Sequence, residues 1–196
     1  MNIELIHPFV LRCLDLNDLF TDCQDLKTFM SKVIKQSVMS MDENKYKGDS
    51  LELLGEALIK LSPVDKRIGV FNYSPVLDND HGVDGFGTGF NLKPATVQFK
   101  WRIPTAILTA NTDHLSNFVM SSYREFDVDV KDNENMLIIT TAKDLHHYTD
   151  AEMFGGQVRT INYDLLKQLV DGNLSFWQMF REAVFCAKNK VSPKIQ

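Results

Sequence analysis

A strict alternation of apolar and polar side chains from Thr96 to Ile103 constrains this 196-residue chain more than any other feature. A repeat of two residues predicts a β-strand with one face against a core and the other face free for chemistry. The apolar members are Val97, Phe99, Trp101 and Ile103, and the polar members are Thr96, Gln98, Lys100 and Arg102.

A second strand is predicted immediately before it. The segment HGVDGFGTGF, which begins at His81, carries Asp84 between two glycines, and a short loop at Asn91 to Pro94 separates it from the first strand. The two strands are therefore predicted to be antiparallel neighbours that bring Asp84 close to Gln98 and Lys100. By itself, an acid flanked by glycines is more often a turn residue. The polar residues of the other strand could equally be the solvated face of an edge strand.

An acid on one strand, with an amide and then a lysine two residues apart on the next, is typical of phosphodiester cleavage. Carboxylate and amide oxygens suit a hard cation such as Mg²⁺. The cation lowers the pKa of a bound water and neutralises charge growing on the phosphate. A neighbouring lysine can orient that water or stabilise the transition state.

The motifs GVDGFG and VQFKWR, preceded by KGDSLELLGEAL, resemble the core of the PD-(D/E)XK nuclease superfamily. They are most similar to the Mrr-type restriction-endonuclease-like branch, whose third motif is often Q-x-K. The resemblance implies an α/β fold with a restriction-endonuclease-like core. Its mixed central sheet of about five strands would be flanked by helices on both faces, in the order αβββαβ.

The resemblance also implies a role for each residue of the motifs. Asp84, Gln98 and the carbonyl of Phe99 would bind Mg²⁺, or Mn²⁺ in its place. Glu52 would be a further acid, bound to the metal directly or through water. Lys100 would orient the attacking water and stabilise the pentacovalent phosphate. The expected activity is a DNA endonuclease that leaves a 5′-phosphate, and cleavage of both strands favours a homodimer.

Glu52 lies in a helix predicted from Ser50 to Leu61, with Asp49 or Ser50 as its cap and the preceding DENKYKGD as a polar loop. Its position three residues after Asp49 also fits a capping box, in which the glutamate only bonds the cap backbone. Glu56, one turn further on, is the reserve candidate for the helix acid. Its alternative role is an exposed ion pair with Lys60.

Candidate DNA contacts are chosen for charge and position. They are Arg102, Lys93, Lys45, Lys47 and His81. The neighbouring His146 and His147 would point in opposite directions on an extended chain, which makes them a poor metal pair.

The remaining pattern predicts helices from Leu26 to about Met39 and from about Asp113 to Arg124, the latter capped at Thr112 or Asp113. Strands are predicted in RIGVFNYSPV, NMLIITTA and QVRTIN, and two helices after them. The chain is interpreted as a single nuclease domain, residues 1–196. It comprises an N-terminal helical extension (1–48), a catalytic core (49–165) and C-terminal helices (166–196).

A net charge of -5 argues against a protein that simply coats nucleic acid, although a local basic patch suffices for a DNA enzyme. The three scattered cysteines, and the lack of a leader or membrane-spanning pattern, favour a cytoplasmic protein. A helicase or other DNA-processing partner could deliver the DNA. The competing hypothesis is a catalytically inactive DNA-binding or protein-interaction module that retains the nuclease fold, because Gln98 replaces an acid.

Overall fold

The chain forms two units that alternate along the sequence. The computed structural model describes residues 3–12, 19–20, 22–77, 82–129, 134–146 and 158–191. One unit comprises Met1–Leu61 with Lys167–Gln196, and the other comprises Ser62–Leu166. We call them the helical unit and the sheet unit.

A five-stranded mixed sheet forms the sheet unit, in the order β1-β2-β3-β5-β7. The two pairings among β1, β2 and β3 are antiparallel, and those of β3 with β5 and of β5 with β7 are parallel. A separate pair of short strands, β4 and β6, is parallel. The strands are β1 (Val70–Pro75), β2 (Gly85–Gly89), β3 (Pro94–Lys100), β4 (Ile107–Leu108), β5 (Met136–Thr140), β6 (Asp144–Leu145) and β7 (Arg159–Ile161).

The predicted hairpin of β2 and β3 is present, with Gly85 opposite Val97. Glycine is required at position 85, because a Cβ there would overlap the ring and hydroxyl of Tyr73. The close approach of β1 to β2 therefore depends on the residue that follows Asp84.

Strand β3 differs from its prediction in length and in exposure. It ends at Lys100, so Trp101, Arg102 and Ile103 lie beyond the strand. Its polar face is not free: Thr96 and Gln98 are as buried as the apolar residues. Thr96 pairs through its hydroxyl with Ser122 at 2.7 Å. Alternation predicted the strand correctly but not its setting, because β3 is a central strand whose residues are buried on both faces, with Thr96 against the helix residue Ser122.

Helix α4 (Leu115–Phe126) packs on the sheet through a buried apolar cluster. Leu115, Phe118 and Val119 of the helix meet Met136 and Ile138 of β5 in this cluster. The predicted side-chain cap is wrong. The residue before the helix is His114, in the left-handed conformation and without a capping hydrogen bond.

Asp113, which was expected at that cap, instead accepts the Thr109 N–H at 2.7 Å and binds Arg102. Its carboxylate therefore binds residues that precede α4 and does not cap the helix.

Arg159 of β7 ties together the segments that enter the sheet. Its guanidinium donates to the carbonyls of Glu134 (2.8 Å), Ile68 (2.8 Å) and Arg67 (3.3 Å). Burial lowers the pKa of this arginine. The starts of β1, β5 and β7 are thereby held by one side chain.

The helical unit contains α1 (Phe9–Arg12), α2 (Leu26–Ser37), α3 (Glu43–Leu61) and α6 (Leu174–Val191). Helix α5 (Tyr163–Val170) contains the boundary between the units. An aromatic core joins α2 to α6, with Phe29 against Trp177 and Phe180, and Phe20 against Phe180. Asp25 caps α2 by accepting the Thr28 N–H at 2.7 Å.

Helix α3 begins seven residues earlier than predicted, at Glu43 rather than Ser50. Asp42 accepts the Lys45 N–H at 2.9 Å, which is the geometry of a side-chain cap. The predicted polar loop is therefore the first two turns of the helix. Asp49 lies inside the helix, so the capping box of Asp49 with Glu52 does not form.

The predicted α/β fold with a mixed sheet of five strands is confirmed. The element order α3-β1-β2-β3-α4-β5 also matches the predicted αβββαβ, with the short β4 inserted. Within the described part of the chain, no helix combines the length and apolar character needed to cross a membrane.

Candidate functional site

Asp84 directly precedes β2, and its side chain reaches the backbone of β3. The Oδ2 atom accepts the Phe99 N–H at 2.5 Å. The Asp84 N–H in turn donates to the Val97 carbonyl at 3.0 Å, and its carbonyl accepts the Val76 N–H at 2.9 Å. The carboxylate is thus held against β3, and the Asp84 backbone is bonded to Val97 of β3 and to Val76, the residue after β1.

Gln98 is buried, with 1% of its surface exposed. Its Nε2 atom donates to the Gly82 carbonyl at 2.6 Å. Its Oε1 atom has no hydrogen-bond partner among the residues that the structure describes. A buried acceptor without a donor costs about 1–3 kcal/mol, which makes this oxygen an unusual feature of the site.

Phe99 and Lys100 complete the predicted group. The N–H and C=O of one strand residue point to the same edge, so the Phe99 carbonyl faces the edge at which Asp84 lies. Lys100 is half-buried and is two residues from Gln98, on the same face of β3. Its backbone carbonyl is fixed by the Thr140 hydroxyl at 2.7 Å. The structure therefore brings Asp84, Gln98 and Phe99 to one place, with Lys100 next along the strand.

The two helix acids, Glu52 and Glu56, lie on α3 in the helical unit and have different surroundings. Glu56 is fully buried, which corrects the expectation of an exposed ion pair. It accepts the backbone N–H groups of Ile6 (2.9 Å) and His7 (3.0 Å), and it binds Lys60 at 2.6 Å. Burial of the acid is possible because all three donors are directed at it. Glu56 therefore attaches the N-terminal segment to α3.

Glu52 remains partly exposed, at 23% of its side chain, and accepts a hydrogen bond from His7 at 2.8 Å. The His7 ring is oriented by the Phe9 N–H, which donates to Nδ1 at 3.2 Å. That contact makes Nδ1 an acceptor and leaves the proton on Nε2, the atom facing Glu52. Sequence reasoning missed His7, because no local pattern relates it to a helix 45 residues away.

His7, Asp49 and Glu52 are the one group among the described residues whose three potential ligand atoms lie within 4.8 Å of one another. Two contacts argue against a metal there. Phe9 requires Nδ1 to be unprotonated, so Nε2 must keep its proton and cannot bind a cation. Asp49 already faces Arg12 at 2.8 Å and Lys45 at 3.3 Å. We interpret the group as a hydrogen-bonded contact between α3 and the N-terminal segment.

Three of the predicted DNA contacts are engaged with acids. Arg102 binds the buried Asp113 through its Nε atom at 2.8 Å, and it lies outside the strand in which it was expected. Lys45 and Lys47 lie on α3 rather than in a loop, and they pair with Asp49 and Glu43.

Lys93 lies in the exposed turn between β2 and β3, where its N–H donates to the Asn91 side chain at 3.1 Å. His81 and His147 lie outside the described residues. His146 lies at the end of β6, where its backbone N–H donates to the Leu108 carbonyl at 2.8 Å.

Comparisons with protein-family models, with curated proteins and with solved structures returned no match for this chain.

Proposed function

We propose that this protein is a metal-dependent DNA endonuclease with a restriction-endonuclease-like core, whose site lies at the edge where β2 and β3 meet. The observation that carries the proposal is the buried Oε1 atom of Gln98, which has no hydrogen-bond partner among the described residues. Gln98 is the neighbour of Phe99, whose N–H binds the Asp84 carboxylate. The motif resemblance assigns Asp84 and Gln98 to the metal. We also propose that helices cover both faces of the sheet, as in that family.

The residues present fit a hard cation. The donor set would be an Asp84 carboxylate oxygen, Gln98 Oε1 and the Phe99 carbonyl, all oxygen atoms of the kind that Mg²⁺ and Mn²⁺ prefer. A cation at this position would also satisfy Gln98 Oε1, a buried acceptor for which the described residues supply no donor. When bound, the metal would supply an activated water and charge neutralisation for the phosphate.

The protein's own groups have separate tasks in this scheme. Asp84 provides the negative charge of the ligand set, and the Phe99 N–H fixes the direction of its carboxylate. Gln98 contributes an oxygen but no charge, so a DNA phosphate would supply the missing negative oxygen. Lys100 contributes a point charge and donors for the attacking water and the transition state. Glu52 belongs to the helical unit, where His7 orients its carboxylate, and its role as a further acid rests on the motif resemblance alone.

The second candidate is an inactive DNA-binding or protein-interaction module that retains the fold. Two observations favour it: Gln98 is almost completely buried, and its amide already bonds the Gly82 carbonyl. If Gln98 served only to bond the segment before β2 within the core, its burial and its hydrogen bond to Gly82 would be the same. The proposal also includes a homodimer, a helicase or other partner that delivers the DNA, and a cytoplasmic location.

Cleavage of supercoiled plasmid separates these two functions. We expect nicking or linearisation with Mg²⁺ or Mn²⁺, none with EDTA, and none by Asp84→Asn under any condition. A matched control is Asp144→Asn, at an exposed position of β6. Equal activity of wild type and Asp84→Asn would indicate a contaminating nuclease or another site. No activity with either metal, combined with metal-independent DNA binding, would favour the inactive module.

A further inference from the structure

Two adjacent threonines bind the main chain at the point where β3 ends. Thr140 is the last residue of β5, Thr141 follows it, and both side chains are fully buried. The alternation of apolar and polar residues continues to Ile103, but Lys100 and Thr140 form the last pair in the register of β3 with β5. Beyond that pair, hydroxyl groups replace the strand ladder as hydrogen-bond partners of the chain.

The Thr140 hydroxyl binds the backbone carbonyl of Lys100. It donates to that oxygen at 2.7 Å and accepts the Ala142 N–H at 3.0 Å. The Thr141 N–H donates to the same carbonyl at 3.2 Å. The peptide group that follows Lys100 therefore has two donors directed at its oxygen, and both come from the end of β5.

The Thr141 hydroxyl satisfies both backbone groups of Arg102. It accepts the Arg102 N–H at 2.7 Å and donates to the Arg102 carbonyl at 2.6 Å. A hydroxyl can donate and accept at once, so this side chain serves as a further residue of β5 would in the ladder. The Arg102 side chain is fixed as well, by Asp113 at 2.8 Å. Residues 100–102 are consequently held at both ends.

We propose that Thr140 and Thr141 are positioning residues for Lys100, and that they act through it on phosphodiester cleavage. The inference rests on the proposed function, in which Lys100 acts on the attacking water and the transition state. The direction of the lysine side chain depends on its own backbone, which the two hydroxyls fix from the carbonyl onward. A displacement of about 1 Å in a reacting group can cost on the order of 100-fold in rate.

A hydroxyl that served the fold alone would have a different effect. Its removal would lower the stability of the protein and leave the rate of the folded molecules unchanged. The rate at equal stability is therefore the quantity that separates positioning of Lys100 from simple support of the strand end.

The test compares Thr140→Val and Thr141→Val with Thr140→Ser and Thr141→Ser. Valine keeps the shape of threonine and removes the hydroxyl, whereas serine keeps the hydroxyl. The matched control is Thr96→Val. Thr96 is also a fully buried residue of β3, but its hydroxyl pairs with the Ser122 side chain at 2.7 Å and not with the end of the strand. The measurements are melting temperature, single-turnover cleavage at several Mg²⁺ concentrations, and affinity for a DNA duplex in EDTA.

We expect each valine variant to cleave at least about tenfold more slowly than Thr96→Val, at a similar loss of melting temperature. The Mg²⁺ concentration at half-maximal rate and the DNA affinity should stay close to wild type, because the substitutions leave Asp84 and Gln98 in place. Each serine variant should return the rate to close to wild type. A valine variant that circular dichroism shows to be unfolded is replaced by alanine at the same position.

Three results would overturn this inference and leave the nuclease proposal intact. Valine variants that cleave as fast as Thr96→Val would mean that the hydroxyls act on stability alone. Serine variants as slow as the valine variants would mean that the hydroxyl is not the group that matters. A DNA affinity that falls in proportion to the rate would assign residues 100–102 to binding. A wild type that cleaves with neither Mg²⁺ nor Mn²⁺ would overturn both proposals together.

Discussion

The Oδ2 atom of Asp84 accepts the backbone N–H of Phe99 at 2.5 Å, so one carboxylate is both a strand contact and the proposed source of metal-binding charge. The hydrogen bond requires only an acceptor, whereas the metal requires a negative oxygen. Substitutions can separate these two requirements.

Asp84→Asn should preserve folding and abolish cleavage. Asparagine retains a carbonyl oxygen for the Phe99 N–H, so the free energy of unfolding should change by about 1 kcal/mol or less. Asp84→Ala removes the acceptor and should cost about 1–3 kcal/mol in addition to activity. Urea denaturation and plasmid cleavage measure the two effects. Near wild-type nicking by the folded asparagine variant would place the site elsewhere.

Lys100→Ala should slow single-turnover cleavage by on the order of 100- to 1,000-fold, the usual effect of removing one transition-state stabiliser. DNA affinity, measured in EDTA, should change much less. Lys143→Ala, an exposed lysine in the sheet unit, is the control. A large loss of affinity with an intact rate would mean that Lys100 only anchors a phosphate.

Glu52 and Glu56, the two candidate acids of α3, should respond oppositely to substitution. Glu56→Ala removes the buried carboxylate that binds Lys60 and accepts two backbone N–H groups. The free energy of unfolding should therefore fall by about 3–5 kcal/mol. Glu52→Gln retains an acceptor for His7, so its melting temperature should stay close to wild type while cleavage is lost. Thermal melts and cleavage rates on both variants test this. A fully active Glu52→Gln would remove Glu52 from the site.

Gln98→Glu should make folding depend on Mg²⁺. The glutamate cannot donate to the Gly82 carbonyl and buries a charge, so stability in EDTA should fall by about 1–3 kcal/mol. Mg²⁺ at about 100 times its Kd should restore about 2.7 kcal/mol by mass action. Cleavage should reach half its maximum at lower Mg²⁺ than in wild type, with a lower rate at saturation because the added charge repels the phosphate.

Thermal melts with and without Mg²⁺, beside a calorimetric Mg²⁺ titration, measure this difference between Gln98→Glu and wild type. Identical Mg²⁺ midpoints for the two proteins would exclude Gln98 as a ligand.

Cys23 should resist alkylation while the protein is folded. Burial raises the pKa of its thiol from 9.0 to about 12, the nearby Asp25 adds to this effect, and Lys32 and Arg181 partly oppose it. At pH 8, iodoacetamide should modify the exposed Cys186 and leave Cys23 intact until urea is added, as read by peptide mass mapping. Rapid modification of Cys23 in the folded protein would contradict its burial.

The same raised pKa links stability to pH. The unfolded thiol loses its proton above pH 9, whereas the folded thiol retains it to about pH 12. The contribution of the buried thiol is therefore complete below pH 9 and is lost progressively between pH 9 and pH 12. Cys23→Ala should flatten that part of the stability profile.

Local pattern was sufficient for the hairpin that carries Asp84 and Gln98, because alternation and glycines act within a few residues. Local pattern failed where the structure depends on contacts with residues distant in the sequence. The start of α3 moved to Glu43 because Asp42 supplies a cap that outweighs the polar character of the next residues. The Gln98 amide bonds the carbonyl of Gly82, 16 residues earlier, and the surroundings of Glu56 depend on the backbone of Ile6 and His7. None of these contacts leaves a periodic trace in the sequence.

The division of the chain into units has a consequence for its synthesis on the ribosome. The Leu26 N–H bonds Asp171, 145 residues later, and Phe29 packs on Trp177 and Phe180. The sheet unit, residues 62–166, emerges completely before these partners do. Until then α2 exposes apolar surface of the kind that chaperones bind and that promotes aggregation. Helix α2 is consequently synthesised before the sheet unit but completes its native contacts only after that unit has emerged.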